Sequence, residues 1–122
     1  MTHGWLTHES RVVTSVSIAQ TRAERRRGLR GLQNIDFPLV ITPCRWVNSL
    51  GMKISIDVMY LNKQSEVVRI QRLAPRRIAR PMLRATQVVE AEVGAFDRWN
   101  LMVGDTVEIR FDNVSSDGDS SK

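Results

Sequence analysis

Apolar residues recur at every second position in several short stretches of this chain, and that period commits most of it to β-strands. Val12, Thr14, Val16 and Ile18 share one face, and Ile54, Ile56, Val58 and Tyr60 share another. Val68 and Ile70 oppose Arg69 and Gln71, and Val89, Ala91 and Val93 oppose Glu90 and Glu92. The cleanest stretch is the last, where Val107, Ile109 and Phe111 alternate with Thr106, Glu108, Arg110 and Asp112. Each pattern predicts a strand with one buried face, which puts Glu90 and Glu92 on a polar one. Leu39 to Ile41 and Arg45 to Val47 are shorter candidates, interrupted by Pro43, which fits poorly inside a central strand. So many short strands in 122 residues predict a mostly β fold, a small closed or nearly closed β-barrel-like single domain. Closure disposes of exposed strand edges at this size, and a two-layer α+β domain is the alternative.

One short helix is well marked, after the first alternating stretch. Thr21-Arg22-Ala23-Glu24 has the form of a capping box, in which the threonine hydroxyl and the glutamate carboxylate each accept from the other's backbone amide. Gly28 and Gly31 supply its stop. Asn62 to Ser65 separates two strands as a hairpin turn, and Ala95 to Leu101 has room for one helical turn before Gly104-Asp105. Residues 1–10 carry no period and read as an N-terminal extension, residues 11–112 as the domain, and residues 113–122 as a disordered tail.

A core of this length folds without a disulfide or a metal. The single Cys44 cannot pair internally, and Met1 to Ser10 has no cationic and apolar leader, so the expected location is cytoplasmic. No apolar run is long enough to span a bilayer. The net charge of +5 rests on 18 basic residues, of which only Lys53, Lys63 and Lys122 are lysines. Arginine is the better fork for phosphate and carboxylate, although a bias spread along the whole chain is not in itself a site.

In order along the chain come Ala19-x-Thr21-x-x-Glu24-Arg25-x-x-Gly28-Leu29-x-Gly31, then Gly51-Met52-Lys53-Ile54-Ser55-Ile56-Asp57-Val58-Met59-Tyr60-Leu61-Asn62. The hairpin with Val67-Val68, Val89-Glu90-x-x-Val93-Gly94 and Leu101-x-Val103-Gly104-Asp105 follow. Over about residues 12 to 110, the order and spacing of these blocks resemble the family called domain of unknown function 192, also catalogued as uncharacterised protein family 0127. The resemblance implies a compact, largely β domain and no established activity. Asn48 stands where other members of the family have tryptophan or histidine, and Arg30 where methionine is usual after Leu29. Ser55 replaces a common proline.

The stretch from Asn48 to Asp57 is the best candidate site. An aspartate inside a strand goes against propensity, so Asp57 must be solvated, hydrogen-bonded or part of a pocket. The simplest structural partners are the amides of the Leu50-Gly51-Met52 turn or an arginine. Catalysis lacks parts: His3 and His8 lie in the unpatterned N-terminus, and Cys44 beside Arg45 reads as a packed residue. No glycine-rich phosphate loop and no metal-ligand spacing is present, so neither a cofactor nor a metal is expected.

Three functions fit. The first is a non-catalytic domain binding a small ligand or a protein partner near Asn48, Met52 and Asp57, with Glu90 as a further candidate. The second is a nucleic-acid or polyanion binder using Arg22, Arg25, Arg26 and Arg30 with Arg76, Arg77 and Arg80. Aromatic residues are not interleaved with these arginines, which weighs against single-strand recognition. The third is a hydrolase-like enzyme at Asp57.

Overall fold

In the computed structural model, which describes residues 1–112, the alternating segments pair into one sheet. The strands are β1 (Thr2–His8), β2 (Arg11–Ala19), β3 (Leu39–Ile41), β4 (Ile56–Leu61), β5 (Val67–Leu73), β6 (Gln87–Ala91) and β7 (Val107–Phe111). Their spatial order is β5-β4-β6-β3-β2-β1-β7. All neighbours are antiparallel except β2 and β3. A parallel pair needs a crossover, and the chain between them carries the helix α1 (Arg22–Arg27). A second helical turn, α2 (Ala95–Arg98), follows β6. The expected tail, residues 113–122, lies outside the described residues.

The sheet is open, not a closed barrel. Its edges β5 and β7 meet through one bridge, Glu66 to Thr106, with Val67 N donating to Asp105 O at 2.8 Å and Val107 N to Ser65 O at 3.0 Å. Beyond Val67 the chain of β5 carries Arg69, Gln71 and Arg72, and charged side chains along a strand edge discourage further pairing.

The N-terminal segment is not an extension. It forms β1, between β2 and β7, and puts Leu6 fully inside the core. The β1–β2 turn is made by Glu9 and Ser10, both at positive φ (53° and 65°), without the Asn-Gly that usually marks such a turn. With Gly4 as its other inward residue, the strand has little apolar period to show. Arg45 to Val47 is irregular as well; the neighbouring Asn48 makes an isolated bridge to Ile78 instead.

Both faces of the sheet are covered. On one, Leu6, Val16, Ile18, Met59, Leu61 and Val89 pack with Phe96 and Leu101 around α2. Burying each large side chain there contributes roughly 1.5–3 kcal/mol. On the other, Leu39, Ile41, Ile56, Val58, Tyr60 and Val88 lie beneath Leu29, Val47 and Met52. β4, between β5 and β6, is therefore buried at every residue, so neither of its faces is solvated. Among the described residues no helix is long and apolar enough to cross a membrane.

Candidate functional site

The second face holds one residue that its neighbours do not explain. In the β6 ladder Glu90 stands opposite Leu39 on one side and Val58 on the other, so its side chain shares the apolar face of those strands. It is 4% exposed, against the polar surface that its alternation with Val89 and Ala91 predicts. Glu92, by contrast, lies past the end of β6 and pairs with Arg98 at the surface. Among the described residues the Glu90 carboxylate receives no hydrogen bond. Burial pushes its pKa from 4.5 to about 7, with the Arg30 guanidinium pulling the other way.

Above Glu90 opens a pocket of about 400 Å³, a size that suits a small ligand. Its wall on one side is α1 and the turn after it. The capping box forms as expected: Glu24 N donates to Thr21 Oγ1 at 3.1 Å and Thr21 N to Glu24 Oε1 at 3.1 Å. That fixes the helix start and places Arg22, Arg25 and Arg26 on the pocket. Gly28 then turns the chain at φ 52° and ψ −131°, a conformation open in practice only to glycine. A Cβ there would lie 3.8 Å from Glu90 Oε1. The opposite wall is the irregular segment with Cys44, Arg45, Trp46 and Asn48, and Met52 lines the pocket as well.

Arg30 locks the two walls together. Its Nε donates to Leu50 O at 2.8 Å and its Nη2 to Asn48 Oδ1 at 2.7 Å, while Nη1 reaches the Arg26 carbonyl at the end of α1. Asn48 Oδ1 also accepts from Leu50 N at 3.0 Å. Arg30 and Asn48 are thus bonded to each other across the pocket. Trp46 is half-exposed, and its Nε1–H donates to Ala79 O at 2.6 Å, which holds the ring in place. Cys44 donates to Trp46 O at 3.2 Å, and burial pushes its thiol pKa up, so it is not poised as a nucleophile.

Of the sequence candidates, Asn48, Met52 and Glu90 line this pocket together with Arg22, Arg25, Arg26 and Arg30. Asp57 does not. It is 6% exposed and its carboxylate is taken up by Arg72, with Nε at 2.9 Å from Oδ1 and Nη2 at 3.3 Å from Oδ2, and by Gly94 N at 2.9 Å from Oδ2. Of its two expected structural partners the arginine is present; the backbone amide comes from Gly94 and not from the Leu50-Gly51-Met52 turn. Arg76, Arg77 and Arg80 are exposed on the 74–86 segment and do not line the pocket either. Arg45 and Trp46 complete the wall and had no marker in the sequence beyond their residue type. His8 is on β1, its Nδ1 3.1 Å from Thr106 O, and takes no part. Among the described residues no group of three or more His, Cys, Asp or Glu is placed to hold a metal ion.

Comparison with known proteins fits this fold and offers no activity. The family model described as "Uncharacterized ACR", domain of unknown function 192, matches residues 5–109. A protein of uncharacterised protein family 0127 from Thermococcus sibiricus is 34% identical over 99 residues. That match takes in 76% of this chain and 64% of the relative, so the chain spans less than two thirds of the relative's length. A solved structure of a protein of unknown function from Novosphingobium aromaticivorans superposes with a TM-score of 0.68 at 20% identity, covering 88% of this chain and 84% of the other. A Sinorhizobium meliloti chain described as a "putative transcription regulator" gives 0.71 at 17% identity, covering 88% and 92%. At these identities the likeness concerns the fold alone.

Proposed function

This chain belongs to the domain of unknown function 192 family, and we propose that it is a binding module for a small anionic ligand, seated in the pocket between α1 and the 43–52 segment. The observation that carries this reading is the state of the arginines. Among the described residues the guanidinium groups of Arg22, Arg26 and Arg45 make no hydrogen bond or ion pair, yet all three line one concavity. Unpaired forks gathered in a pocket are what recognition of phosphate or carboxylate requires. Arg25 and Arg30 are partly committed to backbone carbonyls, and they shape the pocket while adding to its positive potential.

A small ligand fits better than a nucleic-acid backbone. Tracking a backbone calls for a run of basic side chains along an open groove, and the second group of candidate arginines is not in this concavity. A hydrolase reading at Asp57 has no support from its surroundings, because that carboxylate is engaged by Arg72 and Gly94 outside the pocket.

The test is calorimetric titration of inorganic phosphate into the full chain at low ionic strength. Saturable one-to-one binding is expected, weakened at least about tenfold in the double variant Arg22→Ala/Arg26→Ala, since charge-assisted bonds each contribute about 1.5–3 kcal/mol. Equal affinity in parent and variant would remove the reading.

A further inference from the structure

An anion alone leaves the floor of the pocket without a partner. Glu90 is nine-tenths buried, lines the same concavity as the free arginines and receives no hydrogen bond among the described residues. A carboxylate or a fully ionised phosphate has only acceptors and would be repelled by it. A ligand that satisfies this site must bring acceptors for the arginines and donors for Glu90 within one small molecule.

Two more features narrow the class. Asn48 spends its carbonyl oxygen on Arg30 and Leu50, which leaves its Nδ2 amide as a donor on the pocket wall. A ligand that donates to Glu90 and accepts from Asn48 is served by hydroxyls, each of which can do either. Trp46, held by its bond to Ala79, presents a fixed and partly exposed aromatic face at the pocket. Such a face suits the flat side of a ring. An amino acid would also pair an anion with a donor, but its single carboxylate neutralises little of a wall carrying several guanidinium groups.

We infer, on the basis of the anion-binding reading, that the ligand is a phosphorylated sugar. Its phosphate lies on Arg22 and Arg26, its hydroxyls donate to Glu90 and its ring rests against Trp46. The sugar phosphate comes free or as part of a nucleotide, and the pocket recognises the chemistry that the two share.

The experiment titrates the full chain with inorganic phosphate, ribose 5-phosphate and adenosine monophosphate. Ribose 5-phosphate is expected to bind about tenfold or more tightly than inorganic phosphate, the yield of one charge-assisted hydrogen bond. Adenosine monophosphate binding tighter still would assign the nucleotide as the source; equal or weaker binding would assign the free sugar phosphate. In Glu90→Leu the preference for ribose 5-phosphate over inorganic phosphate should collapse to about one, while Glu90→Gln, which keeps an acceptor oxygen, should retain part of it. If the parent binds inorganic phosphate and ribose 5-phosphate equally, the sugar is not recognised and only the anion reading stands. If Glu90→Leu keeps the full preference, Glu90 is not its origin and the inference fails. If none of the three binds, the anion reading fails with it.

Discussion

Arg30 and Asn48 meet across the pocket, with Nη2 of one 2.7 Å from Oδ1 of the other, and this bond ties the end of α1 to the loop that forms the facing wall. Arg30 reaches the Leu50 carbonyl as well, so one side chain secures both walls. Removing it with Arg30→Ala should cost about 1–3 kcal/mol, since the bonds to Leu50 O, Asn48 Oδ1 and Arg26 O are lost together at a half-buried site. Asn48→Ala should cost a similar amount. The two should not add: a double-mutant cycle followed by urea denaturation should return a coupling of at least about 0.5 kcal/mol. Additive costs would mean that the walls are held independently.

Asp57 supports the fold. Asp57→Ala strands the Gly94 amide and should cost about 1–3 kcal/mol, several degrees of melting temperature in a domain of this size. Asp57→Asn should cost less, because the amide oxygen can still accept from Gly94. Arg72→Ala should cost less than Asp57→Ala, since the Arg72 side chain is 59% exposed and water can take its place on the carboxylate while Gly94 still donates. A thermal melt of the three variants checks the order. A parent-like melt for Asp57→Ala would contradict it.

The N-terminal strand is integral. Leu6 is fully buried between neighbours from β2 and β7, and Leu6→Ala should cost about 2–5 kcal/mol. If residues 1–8 were a dispensable extension, a chain beginning at Arg11 would melt like the parent; loss of the cooperative transition is expected instead.

Most of the sheet was legible because β2, β5, β6 and β7 declare themselves by alternation, and α1 by its capping box and glycine stop. β1 was hidden because its inward positions include Gly4 and its turn uses Glu9 and Ser10 where glycine or asparagine is usual. The burial of Glu90 is hidden from the sequence for a different reason. Alternation reports which residues share a face, but not whether anything covers that face, and the cover comes from α1 and the 43–52 segment, far off in sequence. For the same reason Asn48, Met52 and the helix arginines could be suspected separately, while their convergence and the exclusion of Asp57 depended on topology.

The raised pKa of Glu90 makes stability depend on pH in a direction that can be stated. In the folded chain the group holds its proton up to about pH 7, whereas in the unfolded chain it releases it near the ordinary value of 4.5. Between those values the native state binds more protons, so its stability falls as pH rises, by up to a few kcal/mol, and is flat above. Glu90→Gln removes this dependence. The variant should melt several degrees above the parent at pH 8, and the difference should shrink toward pH 5. A constant difference across that range would show that Glu90 ionises normally.

Sulfate, whose charge does not change between pH 6 and pH 8, probes an anion site above Glu90 without titrating itself. Beside the arginines, Cys44 shares the pocket with Glu90, and burial pushes its thiol toward the neutral form, which leaves Glu90 as the titrating carboxylate of the pocket. An anion among Arg22, Arg26 and Arg45 is repelled by an ionised Glu90 and tolerated by a protonated one. Calorimetric titration of the full chain should therefore show sulfate binding several-fold tighter at pH 6 than at pH 8, with the same affinity at both in Glu90→Gln. Sulfate affinity that is equal at the two pH values in the parent, or that changes as much in Glu90→Gln, would contradict an anion site floored by Glu90.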